Sequence, residues 1–77
     1  MRLTKLQIKT VKEDFWNNFK KDIETFKNLD YLEYYTLGVL NGFEATKMIS
    51  VKERYEMSKI VLGAIVLEKA KRIKDAD

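Results

Sequence analysis

Two carboxylate pairs, Glu13/Asp14 and Glu53/Glu56, are the side chains best spaced for acid–base chemistry. Each pair sits in or near the first turn of a predicted helix, where the macrodipole favours negative charge, and that structural role is the expected one. The chain has no histidine and no cysteine, so the commonest general base and the thiol nucleophile are both missing. The usual zinc ligands are missing with them. No glycine-rich phosphate loop, nucleophile elbow or acidic calcium loop is present. These residues predict a protein that is not an enzyme and holds no cofactor or metal.

Cationic chemistry is better represented. Lys69, Lys71, Arg72 and Lys74 lie close together and are the candidate phosphate contacts. On a helix, however, they spread around the axis, and Glu68, Asp75 and Asp77 flank them. The stretch from Gly42 to Ser58 has a helix-turn-helix outline, but its turn lacks glycine and its second helix offers Glu53 and Glu56 to a groove. Nucleic-acid binding is therefore a weak, salt-sensitive alternative and is not favoured. Trp16 has Lys12 and Lys20 one helical turn away, so a cation beside the indole is expected. The indole then either packs at the core edge or serves as a partner hot spot.

The 77 residues make one small domain, 1–77, whose own core is marginal. Chains of this size often add disulfides, a metal or oligomerisation. With no cysteine and no histidine, association is the support that remains. Residues 1–27 carry a balance of +3, residues 28–49 of −2 and residues 50–77 of +2, a mildly acidic middle between basic ends. The longest apolar run, Ile60–Leu67, is far shorter than the ~20 residues that span a bilayer. No signal peptide is evident near Met1. The expected setting is the cytoplasm, or the host cytoplasm if the chain is phage-encoded, with no membrane partner.

Three helices follow from the start signals. Thr4 with Gln7 forms a capping box, with Leu3 and Ile8 as a staple, while Thr10 with Glu13 repeats the box, so helix 1 begins near Lys5 or near Val11. Asp30 with Glu33 and Ser50 with Glu53 mark the next two starts. The expected fold is all-α, with helices at about 5–27, 31–47 and 51–73. It is a three-helix bundle or a helical hairpin with an extra helix, completed by dimerisation. Short joints make neighbouring helices antiparallel.

Helical spacing then assigns the faces. Helix 1 has one stripe, Ile8, Val11, Phe15, Phe19, Ile23 and Phe26, with Lys12 and Asp22 inside its arc. Those two lie roughly 15 Å apart along a helix and do not pair with each other. In helix 2, Tyr31, Leu32, Tyr35, Val39, Phe43 and Ile49 gather on one side with Gly38, Gly42 and Ala45. Gly38 and Gly42 are expected to mark close packing within the domain, or else a dimer crossing point. In helix 3, Val51, Tyr55, Leu62, Ile65, Val66 and Ile73 are expected to face helices 1 and 2. A second stripe, Met57, Ile60, Ala64 and Leu67, has the spacing of a short a/d seam. One small domain covers only one of these stripes comfortably.

The second stripe, joined by Leu37, Leu40 and Tyr34, is therefore the expected interface for a homodimer or another protein. The functional expectation is an interaction module, an adaptor, regulator or inhibitor of a larger protein. A low-GC bacterium, or an accessory element such as one of its phages, would suit the composition. A purely structural assembly subunit is a further alternative.

Overall fold

The computed structural model describes residues 3–76, and they form three helices: α1 (Lys5–Thr25), α2 (Leu29–Ala45) and α3 (Val51–Ala76). No strand occurs among the described residues. Thr4 closes the expected capping box on α1, accepting from the Gln7 amide while the Gln7 side chain accepts from the Thr4 amide. Helix 1 therefore begins at Lys5 and not near Val11. Ser50 caps α3 by accepting from the Glu53 amide. The start of α2 differs from expectation. Asn28, two residues before Asp30, accepts from the Tyr31 amide, and Asp30 falls within the first turn.

The end of α2 is a Schellman turn. Met48 N–H donates to the Phe43 carbonyl and Lys47 N–H to the Glu44 carbonyl, with Lys47 at φ 62°. No glycine announces this left-handed position. A lysine takes it, against the Cβ clash that normally reserves it for glycine.

The molecule measures 51 × 19 × 16 Å. Its long axis exceeds the roughly 39 Å of α3 alone. α2 and α3 pair most closely, and α1 lies against them chiefly along α2. Ion pairs fix the directions. Asp30 meets Lys69 at 2.5 Å and Glu44 meets Arg54, so α2 and α3 are antiparallel. Lys12 meets Glu53 at 2.6 Å near the start of α3, and Arg72 reaches the end of α1, so α1 and α3 run parallel. The sequence placed Lys12 at the edge of the α1 stripe, and it finds its carboxylate within the same chain.

The core consists of Phe15, Phe19, Leu29, Leu32, Leu40, Ile49, Met57, Val61 and Ile65. The α1 stripe enters it as expected, with Phe15 edge-on to Trp16 at 4.8 Å and to Phe43 at 5.8 Å between ring centres. The other two helices are turned from their expected orientation by roughly 100°, one residue's rotation of an α-helix. In α2 the buried line is Leu29, Leu32, Thr36 and Leu40, while Tyr31, Tyr35, Gly38 and Gly42 face outward. The expected face carried three small residues, and turning it outward exchanges their slight burial for that of leucines. A Cβ built on Gly38 or Gly42 meets nothing within 4 Å, so their expected role in close packing within the domain is corrected.

In α3 the buried line is Met57, Val61 and Ile65, with Ala64 packed beside it. Of the stripe expected to face inward, Ile65 alone is buried, while Val51, Tyr55, Leu62, Val66 and Ile73 are exposed. The rotation also satisfies charged groups. Arg54 and Arg72 lie on the same side of α3 as Val61 and Ile65, and that orientation brings them to partners on other helices: Arg54 to Glu44 on α2, and Arg72 to the end of α1.

Candidate functional site

The residues expected to form one contact surface are divided by the fold. Met57 is 6% exposed and Leu40 is 0% exposed, both in the core, which corrects their assignment to an outer face. Leu37 and Ala64 are half-buried against that core. Ile60 and Leu67 are exposed, on the flank of α3 that also carries Glu53, the residue paired with α1. Tyr34 is exposed on α2. The seven residues do not make one patch.

The opposite flank of α3 holds a longer apolar stripe. Val51, Tyr55, Leu62, Val66 and Ile73 are 63%, 57%, 38%, 64% and 70% exposed. They share their side with Ser58 and with Lys69, which reaches across to Asp30 on α2. The hydrogen bond to Asp30 holds the Lys69 ammonium above the usual lysine range. Lys59 sits over the Tyr55 ring at 4.7 Å. The stripe was visible in the sequence. What the sequence did not show was the contacts made by Arg54 and Arg72 along the neighbouring line, to Glu44 and to the end of α1.

A second feature is the groove between α1 and α2, about 310 Å³ in volume. Phe15, Phe19, Val39 and Phe43 line it together with Asp14, Asn18, Asp22 and Tyr35. Asp22, noted in the sequence as lying inside the apolar arc, lines this groove. The groove combines an aromatic floor with two carboxylates.

Trp16 is half-buried, edge-on to Phe15 and to Phe19 at 6.2 Å, which places it at the margin of the core. Its neighbour Lys12 is engaged with Glu53.

The C-terminal cations are also divided. Lys69 is bound to Asp30, and Arg72 donates to Glu68 through Nε and to the Lys27 and Ile23 carbonyls through Nη1 and Nη2. Arg72 thereby closes the C-terminal end of α1, where carbonyls lack helical partners. Lys71 and Lys74 are exposed. Of the carboxylate pairs, Glu53 is taken by Lys12, and Glu13 lies 4.0 Å from Lys9.

Among the described residues, no group of three acidic side chains is placed to hold a metal ion, and no helix is long and apolar enough to cross a membrane. The chain matches no family model, no curated protein and no solved structure.

Proposed function

We propose that this protein is a small non-enzymatic interaction module that self-associates, most simply as a two-fold dimer, and acts by covering part of a larger protein. An adaptor, regulator or inhibitor working in the cytoplasm fits that description, and an accessory protein of a phage or mobile element is the context we favour. One observation carries the reading: the exposed apolar flank of α3, running from Val51 to Ile73 on a helix whose other side already supplies the core. Five large side chains exposed along one flank differ from the scattered single apolar residues that monomers normally expose. Burial of such area is the dominant drive to association. Once that flank is used, the α1–α2 groove and the flank bearing Ile60 and Leu67 remain for a different protein.

The nucleic-acid alternative has less to support it. Lys69 and Arg72, two of the four candidate cations, are engaged within the fold.

The test is the solution mass by light scattering across a wide range of concentration. A mass above the 9.1 kDa of one chain is expected. A monomer at every concentration contradicts self-association.

A further inference from the structure

We infer that the occupant of the α3 flank is a second copy of the chain, its α3 packed antiparallel about a two-fold axis at Leu62. This rests on the self-association proposed above and adds the surface, the direction and the register.

The side chains on this flank are Val51, Tyr55, Ser58, Leu62, Val66, Lys69 and Ile73. Their steps are four, three, four, four, three and four, which read the same in both directions from Leu62. A two-fold interface requires that if one residue meets another, the reverse contact also exists. Antiparallel copies centred on Leu62 satisfy this along the whole helix: Val51 faces Ile73, Tyr55 faces Lys69, Ser58 faces Val66 and Leu62 faces itself. The chemistry of each pair agrees. Branched aliphatics meet at the ends, a small residue meets a branched one, and a phenol ring meets an ammonium. The eleven-residue repeat, 3.67 per turn, lies close to that of a straight helix, so the stripe stays on one face from end to end.

Charge decides the direction. The stripe holds Lys69, already bonded to Asp30 of its own chain, and is bordered by Lys59, which lies over the Tyr55 ring. A parallel pairing in register sets two Lys69 side chains opposite each other, and two Lys59 side chains near each other, whereas the antiparallel one separates both like-charged pairs. The surface suits an interface of modest size. The five exposed apolar side chains supply the centre of such an interface, and a polar rim has to supply the rest of the ~800 Å² that a standard one buries per copy.

The chain has no cysteine, so single-cysteine variants of the full-length protein map the register directly. Leu62→Cys, Val51→Cys, Ile73→Cys and Ile60→Cys are each oxidised mildly, and their helix content is checked by circular dichroism. Leu62→Cys is expected to cross-link nearly to completion, since an axis residue faces its own copy near the spacing a disulfide spans. Val51→Cys and Ile73→Cys are expected to cross-link when mixed and not when alone. Leu62→Glu is expected to halve the mass at a concentration where the native chain is dimeric, with helix content unchanged. Efficient cross-linking of Val51→Cys to itself means a parallel pair and overturns the inference. Dominant cross-linking of Ile60→Cys means that the other flank is used, and also overturns it. A dimeric mass with no cross-linking at Leu62 rejects this register while leaving self-association intact. A monomeric native chain rejects both.

Discussion

The two faces of α3 are built from the same kinds of side chain and meet opposite fates. Met57, Val61 and Ile65 are sealed beneath α1 and α2, while Val51, Leu62 and Val66, no less apolar, stand in water. Hydrophobicity alone therefore does not choose the inner face. The charged residues interleaved with each stripe contribute to the choice, by about 0–1 kcal/mol for each partly exposed pair. Along the inner line, Arg54 and Arg72 find an acid and a pair of helix-end carbonyls. Exposing the inner line instead would forfeit those partners and bury the tyrosine flank in their place. Charged groups at the margin of a core are tolerated where they are paired, and the observed rotation of α3 pairs them.

The largest expected effect extends the same contrast of buried and exposed faces to α2. Leu40→Ala, deleting a fully buried leucine, is expected to destabilise the fold by about 2–5 kcal/mol in urea unfolding. Tyr34→Ala on the exposed side of the same helix is expected to stay within about 0.5 kcal/mol of the native chain. Arg72→Ala removes the bonds to Ile23 and Lys27 and is expected to cost about 1–2 kcal/mol, its half-exposed position reducing the usual worth of charged hydrogen bonds. Hydrogen exchange is then expected to quicken at the C-terminal end of α1 before anywhere else. Lys47→Gly relieves a left-handed residue and is expected to raise stability by about 0.5–1 kcal/mol.

The smallest effect concerns pH. Lys69 is held above its usual value of 10.5 by Asp30. Its contribution is therefore complete below that pH and fades as pH rises through the raised value. As pH is raised from neutral, the Lys69–Asp30 contact is expected to be lost only in strongly alkaline solution, as followed by nuclear magnetic resonance at the lysine ammonium. A loss beginning at neutral pH contradicts the pairing.

These contrasts also show what was legible in the residues and what was not. The three helices were, because Thr4/Gln7 and Ser50/Glu53 are local signals that do not depend on tertiary packing. The α1 stripe was, because its phenylalanines share one narrow arc. The faces of α2 and α3 were not. Both helices carry apolar residues over most of their circumference, so periodicity leaves the rotation open by about one residue. What helps to close it is contacts distant in sequence, Glu44 with Arg54 and Arg72 with the Ile23 carbonyl, whose charged members a helical wheel ranks as outward. The expected contact set failed for the same reason: Met57 and Leu40 belong to the line that the ion pairs turn inward. The expectation that α3 carries more apolar surface than one chain covers is consistent with its exposed flank, on residues other than those first assigned.

Ile65 and Val66 are neighbours in the chain, one fully buried and the other 64% exposed. Circular dichroism of Ile65→Asp and Val66→Asp at equal concentration tests the division of α3 most directly. The account predicts that Ile65→Asp loses most of its helical signal and that Val66→Asp keeps the native signal. Unfolding by Val66→Asp, or an Ile65→Asp chain that remains fully helical, would contradict it.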